Sequence, residues 1–353
     1  MVSPRLRCVC CALPARVLHH LAAKAEPEHY ARLVQHQGES AQIRSQRSDK
    51  RKEAAAPRAA RSPAGGQFSV YDARHLQALP GRLVRRHGAP ASRDATVNHA
   101  WDNVGITLDF FATVLGRDSL DGKGMHVDAS VHYGDRFSNA MWTGKEMLFG
   151  DGDGIQILGF AQSLDIVAHE LTHAVTQHSV RGGLGEKRIG GKVVLAGQAG
   201  ALNESISDVF ACMVKQWHTK QDVKKADWLL GEGVLAPAMG KAVRSLKDPG
   251  NAALTYEADD QAGDMRGYVE GGDVHANSGI PNHAFYLAAR ALGGHSWEHA
   301  GPIWYEAIPK LKKNAGFADA AQETLEAAAT LFGVASREHK AVHKAWRQVR
   351  VIE

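Results

Sequence analysis

The chain has 353 residues, of which 44% are hydrophobic and 23% are charged, values typical of a globular protein with one large domain or two smaller ones. Its formal net charge of +4 is uneven: residues 1–66 hold 12 basic and 5 acidic side chains (12 − 5 = +7), so the remainder is slightly acidic (4 − 7 = −3). An acidic body argues against nucleic acid as a partner, no apolar run is long enough to span a membrane, and four cysteines do not form a disulfide framework.

Residues 12–36 carry apolar side chains at helical spacing, which predicts one short amphipathic helix. Residues 38–66 are polar and basic and lack the apolar surface to fold alone, so we interpret them as a solvated linker that proteases can cut. The alternative, a tail that binds nucleic acid, fits the acidic remainder less well. The first 23 residues make a poor secretory signal, because a proline and an arginine interrupt their short apolar patch.

Residues 67–180 form a second region, which is rich in strand and turn patterns. Strand-like runs occur at 68–73, 82–85 and 125–133. Between them, the helical spacing of apolar residues predicts a helix over 96–116. The acidic, glycine-rich tetrapeptide at 151–154 could suggest calcium, but it lacks the ligand positions of a full calcium loop and is interpreted as a tight hairpin turn.

The segment 164–176 carries the motif His-Glu-Leu-Thr-His in an apolar run without proline or glycine, which predicts a buried helix. Residues four apart share one helical face, so His169 and His173 can aim two imidazoles at one point. Zinc accepts neutral imidazole and keeps a position open for water in catalytic sites, and Glu170 stands beside the pair as a base toward that water. The alternative is a core helix with two unrelated histidines, since this short pattern also arises by chance.

Residues 181–353 form a third region, which is largely helical. It begins with a glycine-rich insertion whose core, 187–195, has the pattern of a β-hairpin. Helices are predicted near 203–217, 221–231, 279–292, 302–312, 318–331 and 335–349. The composition therefore shifts from strands to helices near residue 160.

A two-histidine zinc site needs a third protein ligand, and the helix predicted over 203–217 offers one. Glu204 and Asp208 lie four residues apart and face the same way. Glu204 can ligate the metal, while Asp208 can accept the second ring N–H of a ligating histidine. The alternative is an exposed acidic face. We favour the metal site because the segment is otherwise apolar, and carboxylates on a buried helix need partners.

Over residues 67–353 the sequence resembles the thermolysin-like zinc metallopeptidases. The resemblance rests on His-Glu-Leu-Thr-His, on Asn-Glu-Ser-Ile-Ser-Asp and on shorter matches in the same order, which lie at 169–173, 203–208, 131–133, 139–142, 150–154, 243–246 and 274–280. The short N-terminal segment is most similar to the protealysin-like branch of the family. The resemblance implies an α+β fold with a β-rich N-terminal lobe, a mainly α-helical C-terminal lobe and a zinc site in the cleft between them.

The resemblance also implies the roles of the residues that would perform catalysis. The implied zinc ligands are His169, His173 and Glu204. Asp208 would support His169 from behind, and Glu170 would act first as general base and then as proton donor to the leaving amine. His275 would stabilise the oxyanion of the tetrahedral intermediate, although outside this context a histidine in a glycine-rich loop is more often an ordinary surface residue.

Further matching residues would bind the substrate, which is implied to be a peptide or protein. Asn139 and the backbone of Ala140 would align the substrate as an added strand. Arg244 would hold a substrate carbonyl. Ile166 and Val243 would line the pocket for the residue after the scissile bond, which favours an apolar side chain there.

The sequence departs from the family pattern on the oxyanion side. A tyrosine that usually serves as a second oxyanion donor corresponds to Leu195, which has no donor, and the loss of one such donor typically costs about 100- to 1,000-fold in turnover. No tyrosine lies between His173 and Glu204, so a shifted alignment would not restore one. The acid that orients His275 is either Glu270 or Asp273.

The calcium sites of the family are only partly matched. The calcium-binding carboxylates correspond to Asp165, Asp227 and Glu232, so the resemblance implies calcium. Lys215 stands where a further acidic residue is usual, and its ammonium would oppose a second cation. We therefore expect one calcium ion at most.

Residues 1–66 would, by the same resemblance, be a short propeptide with its linker, covering the cleft and keeping the enzyme a zymogen. Cys8, Cys10 and Cys11 raise the hypothesis that a thiolate occupies the open position of zinc. The alternative, that they are incidental thiols, is favoured. Secretion is implied by the resemblance, with a cytoplasmic location as the alternative because no clear signal peptide is visible.

The predicted function is zinc-dependent endoproteolysis before an apolar residue, by zinc-bound water that Glu170 activates. We expect a monomer whose partners are its substrates and its own propeptide, without nucleic acid or membrane. One alternative is a zinc-binding homologue with weakened catalysis that acts as a binding or regulatory protein, which Leu195 motivates. Another is a zinc aminopeptidase, but no motif for binding a substrate amino terminus is present.

Overall fold

A computed structural model gives the structure of the chain and describes residues 12–45, 67–189 and 192–353. The cysteines at positions 8, 10 and 11 and the linker from residue 46 to 66 lie outside the described residues. Within them, the fold class is α+β, as expected: a mixed sheet lies in the first half and helices dominate the second. No helix in the described part of the chain is both long and apolar enough to cross a membrane.

The N-terminal segment contains two helices, α1 (Ala15–Ala23) and α2 (Pro27–Ser45), instead of the single helix predicted over 12–36. The break precedes Pro27, because proline lacks an N–H and favours the first turn of a new helix. Helix α2 also extends into the predicted linker. Its inward face buries Leu33, His36, Ser40 and Ile43 against the body, so tertiary packing stabilises a helix that its polar composition does not predict.

A five-stranded sheet forms the centre of the first half. Its strands are β1 (Phe68–Asp72), β2 (Arg82–Arg86), β3 (Val127–Val131), β4 (Ala140–Trp142) and β5 (Met147–Phe149). Their order is β2-β1-β3-β5-β4, in which β1, β3 and β5 run parallel and the two outer strands antiparallel. Strand β4 therefore ends the sheet with an edge that can accept a further strand.

Three long helices connect the sheet to the candidate site: α3 (Ala95–Leu115), α4 (Leu164–Ser179) and α5 (Gly197–Thr219). Asp94 caps α3 by accepting the backbone N–H groups of Thr96 and Val97. Every residue of α4 from Asp165 to Gln177 is buried, as expected for a helix enclosed on all sides. Helix α5 packs along α4 and begins six residues before the predicted start at 203.

The remaining elements build the helical half. The insertion forms the predicted hairpin, β6 (Glu186–Ile189) with β7 (Lys192–Leu195). After it come β8 (Leu229–Leu230), β9 (Arg244–Ser245), α6 (Val274–Asn277), α7 (Gly279–Leu292), α8 (Ala300–Ala307), α9 (Phe317–Phe332) and α10 (Arg337–Gln348), with 3₁₀ turns at Met265–Gly267 and Ile308–Lys310. Four of the predicted helices are therefore confirmed close to their predicted bounds. Their predicted ranges were 279–292, 302–312, 318–331 and 335–349.

The helix predicted over 221–231 was wrong. The side chain of Asp222 accepts the backbone N–H groups of Lys224 and Lys225 and so closes a turn in place of a helix. Trp228 has a left-handed backbone (φ +61°), and the chain then enters β8. A local side-chain contact thus overrides the apolar spacing that suggested a helix.

The tetrapeptide at 151–154 follows strand β5 and forms part of a tight turn, but the next element is helix α4, so the turn does not join two strands of a hairpin. Asp153 Oδ1 accepts the backbone N–H groups of three successive residues, 155–157, at 2.6–3.0 Å. Gly154 N–H donates to the carbonyl of Ile157 at 2.9 Å. The Asp153 carboxylate therefore organises the backbone of this turn.

Candidate active site

The two motif histidines meet on one face of α4, as the four-residue spacing requires. The Nε2 atoms of His169 and His173 lie 3.1 Å apart, and the two rings are nearly perpendicular, at 87°. Both side chains are buried. Two imidazole nitrogens thus point into one enclosed volume.

Two carboxylates approach this pair from different sides. Glu204 Oε2 lies 3.4 Å from His169 Nε2 and 3.8 Å from His173 Nε2. Neither oxygen of Glu204 accepts a hydrogen bond from any residue that the structure describes, although the side chain is fully buried. Glu170 can also be grouped with the histidines by distance, but its Oε2 accepts the backbone N–H of Trp142 at 2.9 Å. Glu204 therefore has the geometry of a ligand, and Glu170 that of a group held beside the site.

A second layer of polar groups orients both imidazoles. Asp208 Oδ1 lies 2.8 Å from His169 Nδ1. His173 Nδ1 lies 2.9 Å from Asn203 Oδ1 and 3.0 Å from the Ser207 hydroxyl. Because the Asn203 amide donates to the Leu184 carbonyl, its oxygen faces His173 and accepts the Nδ1 proton, which leaves the Nε2 lone pair for a metal.

Sequence reasoning missed Asn203 and Ser207. A signal was present, because both flank Glu204 on the same helix and lie four residues apart. Neither residue type ligates zinc, so only a search for hydrogen-bond partners of the histidines would have found them.

The charges of the site balance one another. Burial lowers the pKa of His169, but the Asp208 and Glu204 carboxylates outweigh burial and raise it to about 9. Burial raises the pKa of Glu204, yet His275 and His173 hold it well below its usual range. Glu204 is consequently ionised inside the protein, which favours a bound cation.

Arg244 is buried and paired with Asp208. Its Nε donates to Asp208 Oδ1 at 3.0 Å, and Asn282 donates to the other carboxylate oxygen at 2.8 Å. Arg244 Nη1 donates no hydrogen bond to any residue in the described ranges, although it is buried. The guanidinium is thus held in place with N–H groups available for a carbonyl.

His275 is the second residue of the short helix α6 and points toward the same volume. Its Nε2 lies 3.2 Å from Glu204 Oε2, and its Nδ1 lies 3.0 Å from Asp273 Oδ1. Of the two acids left open by the sequence, Asp273 makes this contact, whereas Glu270 accepts the hydroxyl proton of Tyr268 at 2.8 Å. The His275 contact holds the pKa of Asp273 below its usual range despite burial.

Leu195, which the sequence aligns with the usual second oxyanion donor, ends β7, is 2% exposed and has no side-chain donor. Tyr256, which sequence reasoning did not single out, is also buried, and its hydroxyl makes no hydrogen bond within the described part of the chain. Its ring centroid lies 5.8 Å from that of His20 on α1. Tyr256 lies outside the motifs that match the family, so only its burial and its hydroxyl, which is unbonded within the described residues, single it out in the tertiary structure.

The predicted substrate-binding residues lie on two sides of the site. Ala140 begins the edge strand β4, Asn139 directly precedes it, and the N-terminal segment already adds to that edge. Ala12 N–H donates to the Ala140 carbonyl at 3.1 Å, while Leu13 N–H donates to Asn139 Oδ1 at 3.1 Å. The Asn139 amide in turn donates to the Leu13 carbonyl at 3.3 Å.

Ile166 and Val243 are brought together beside Gly231. A Cβ at Gly231 would lie 2.6 Å from a methyl of Val243 and 3.4 Å from Ile166 Cδ1. Both side chains are fully buried, so they form one apolar wall. A side chain at residue 231 would clash with Val243, so glycine lets the backbone approach this wall closely.

The three carboxylates predicted to bind calcium surround the ammonium of Lys215. Lys215 Nζ lies 2.8 Å from Glu232 Oε2, 3.2 Å from Asp227 Oδ1 and 3.5 Å from Asp165 Oδ2. It also donates to the Leu229 carbonyl at 2.8 Å. Burial opposes the charge, but Asp165 and Asp227 raise the pKa of Lys215. The three carboxylates assigned to calcium therefore share one ammonium partner, whose charge opposes a cation there.

Comparison with known proteins gives one consistent result. Residues 39–177 match the family model described as the thermolysin metallopeptidase catalytic domain, and residues 192–351 match its alpha-helical domain. An extracellular metalloprotease of Pectobacterium carotovorum subsp. carotovorum is 40% identical over 360 residues, covering 98% of this chain and 97% of that protein. A thermolysin of Alicyclobacillus acidocaldarius subsp. acidocaldarius is 34% identical over 298 residues, which cover 81% of this chain and 51% of that protein.

One solved structure has a similar fold. The precursor of protealysin, a metalloproteinase from Serratia proteamaculans, superposes with a TM-score of 0.84 at 37% identity. The match covers 98% of this chain and 100% of that one. The chain thus has the length of this precursor but spans only about half of the thermolysin it matches.

Proposed function

The chain belongs to the thermolysin family of metallopeptidases and is a zinc metalloendopeptidase, and we propose that it cleaves before apolar residues with Glu170 as the base that activates water. One observation carries the proposal: the Glu204 carboxylate is buried and ionised, and its contacts are imidazole nitrogens. A buried anion is costly without a cationic partner, and the imidazoles around this one can give their lone pairs to a metal ion. The donor set of two imidazoles and one carboxylate fits catalytic zinc.

His169 and His173 would hold zinc through Nε2, with Glu204 as the third ligand. When bound, zinc supplies a Lewis acid that polarises the scissile carbonyl and makes water more acidic. Asp208 and Asn203 keep the two imidazoles in the tautomer that presents Nε2.

Glu170 is positioned for proton transfer. The N–H of Trp142 fixes one of its oxygens, so the carboxylate faces the histidine pair in a defined orientation. In the proposed reaction Glu170 takes a proton from the attacking water and later gives it to the leaving amine. His275, oriented by Asp273, donates from Nε2 to the developing oxyanion.

The substrate would lie along β4 as an added strand. Asn139 and Ala140 would bind its backbone, as they bind the backbone of residues 12 and 13 here. Arg244 would hold a carbonyl through the N–H groups that Asp208 does not use. The apolar wall of Ile166 and Val243 would select an apolar side chain after the scissile bond.

The N-terminal segment would keep the enzyme latent by occupying that substrate edge. Arg16 pairs with Asp260 and Lys24 pairs with Glu257, both on the body of the protein. The side chain of His29 contacts Asp153 at 2.8 Å. Hydrolysis in the linker would then release the segment and open the cleft. Secretion is part of the proposal, supported by a relative that is named extracellular.

A casein assay on the purified protein, with sequencing of its N-terminus, tests this function. We expect hydrolysis to follow loss of residues from the N-terminus, to stop when a chelator is added, and to be absent in Glu170→Ala. A peptide series that varies the residue after the scissile bond should show a preference for apolar side chains. Hydrolysis that survives both the chelator and Glu170→Ala would overturn the proposal.

Leu195 supports one alternative, a zinc-binding homologue with weakened catalysis. The second oxyanion donor expected at that position is missing, which on its own would slow turnover by about 100- to 1,000-fold. Stoichiometric zinc in the processed protein, without hydrolysis of casein or of any peptide in the series, would decide for this alternative.

A further inference from the structure

Three chemically reactive side chains meet at one edge of the main sheet, away from the histidine pair of α4. Strands β1, β3 and β5 run parallel, so their carboxyl ends lie at the same edge. His75, His132 and Asp151 follow these three strands by three, one and two residues respectively. His132 and Asp151 lie in segments that match the family, at 131–133 and 150–154, but the proposed reaction uses none of the three side chains.

Their ligand atoms are close enough to share one ion. His132 Nδ1 lies 2.9 Å from both oxygens of Asp151, and His75 Nδ1 lies 3.4 Å from Asp151 Oδ2. The three ligand atoms all lie within 4.8 Å of one another. A tetrahedral zinc ion with bonds of about 2.1 Å holds its ligand atoms about 3.4 Å apart, so small side-chain movements would complete the geometry.

A fourth residue supports the cluster from behind. Asp94 Oδ2 lies 2.9 Å from His132 Nε2, while its Oδ1 accepts the Thr96 N–H at 2.8 Å and thereby caps α3. A carboxylate on one imidazole nitrogen fixes the tautomer that presents the other nitrogen to a metal. With Nε2 facing Asp94, the other nitrogen, Nδ1, faces Asp151 and His75, and a metal ion bound there would replace the proton that Nδ1 shares with the Asp151 carboxylate.

The backbone at both histidines is held in an unfavourable conformation. His75 (φ +59°) and His132 (φ +53°) are left-handed, which non-glycine residues rarely adopt. The N–H of His75 donates to the carbonyl of His132 at 2.8 Å, which ties the two loops together. Such strain persists where the surrounding structure imposes it, often at binding sites.

We propose that His75, His132 and Asp151 form a second divalent-metal site that takes a borderline ion such as Zn²⁺ or Co²⁺. Two imidazoles and one carboxylate are the ligands that such ions prefer, and a water molecule would complete the coordination. The ion would join the loops that follow β1, β3 and β5 and so stabilise the edge of the sheet. This site is independent of the peptidase function.

Metal titration of the full-length chain carrying Glu170→Gln, which prevents self-digestion, tests the site. After removal of all metal, Co²⁺ is added and the bound equivalents are counted by calorimetry and by visible absorption. We expect two equivalents, and one equivalent when His75→Asn is added. Asparagine tolerates the left-handed backbone at position 75 but lacks the imidazole.

His87→Asn is the matched control, because His87 is an exposed histidine of the same lobe outside the cluster. It should keep both equivalents. Asp94→Asn, which preserves the helix cap, should weaken the second equivalent by about 10- to 100-fold. One equivalent in the parent protein, two in His75→Asn, or loss of the second in His87→Asn would each overturn the proposal.

Discussion

Helices α4 and α5 together form two clusters that contain buried carboxylates. The two clusters differ in whether the protein itself supplies a lysine to balance the negative charge. Around the histidine pair, α4 supplies His169 and α5 supplies Glu204, and no lysine or arginine contacts the Glu204 carboxylate within the described residues. One turn earlier on α4, Asp165 faces Lys215 of α5. The first cluster is arranged for an added cation, whereas the second contains its own.

The difference shows how one residue type decides between a metal site and an ion pair. Asp165, Asp227 and Glu232 are oxygen ligands of the kind that bind calcium, but the ammonium of Lys215 lies among them. Imidazoles, by contrast, can be neutral and can share their lone pairs with a metal. Each prediction below changes one cluster and leaves the other intact.

The largest loss of activity is expected when either acidic residue of the histidine cluster is replaced by glutamine. Glu170→Gln should retain zinc and lose about 10²- to 10⁴-fold in kcat, because it removes a general base but no ligand. Glu204→Gln should lose zinc as well as activity. Zinc content and peptide hydrolysis, measured on both variants, check this. Zinc lost from Glu170→Gln and kept by Glu204→Gln would reverse the two assignments.

Zinc removal should destabilise the protein while calcium should have no effect. A ligand present at about 1,000 times its Kd stabilises the folded state by about 4 kcal/mol. Thermal unfolding of Glu170→Gln, with and without chelator, measures the loss. Added zinc should restore the melting temperature. Recovery with calcium alone would contradict the view that Lys215 has replaced that ion.

Replacement of Lys215 should convert the second cluster into a metal site. In Lys215→Gln three carboxylates lose their cation, and we expect a loss of about 2–3 kcal/mol, below the value for fully buried pairs because Glu232 is partly exposed. Calcium should recover this stability in the variant only. Lys224→Gln, at an exposed lysine nearby, is the control. A variant as stable as the parent, or one indifferent to calcium, would refute the prediction.

The smallest effect is expected when a residue that orients a metal ligand, but does not itself bind zinc, is replaced. Asn203→Ala removes the acceptor for His173 Nδ1 but leaves the Ser207 hydroxyl, so zinc affinity should fall by about 10- to 100-fold without loss of the fold. Competition with a chromogenic chelator measures the affinity. An unchanged affinity would mean that Ser207 alone orients the ring.

Prediction from the sequence succeeded where spacing within one helix decides the outcome. Four-residue spacing correctly placed His169 beside His173, and it placed Glu204 and Asp208 on one face of α5. Prediction failed where long-range packing or a local turn competes with the secondary structure that the sequence pattern favours. Packing against the body extended α2 to Ser45, and the side chain of Asp222 replaced a predicted helix with a turn.

The sequence by itself determined the chemistry of the motif, because the geometry of a single helix fixes which side chains share a face. Only the tertiary structure decided what those side chains meet. The packing of α4 against α5 brings Glu204 to the histidines and Lys215 to the acids, across separations of 31 to 50 residues. Likewise, parallel strands bring His75, His132 and Asp151 together, because their ends meet only after the sheet has formed.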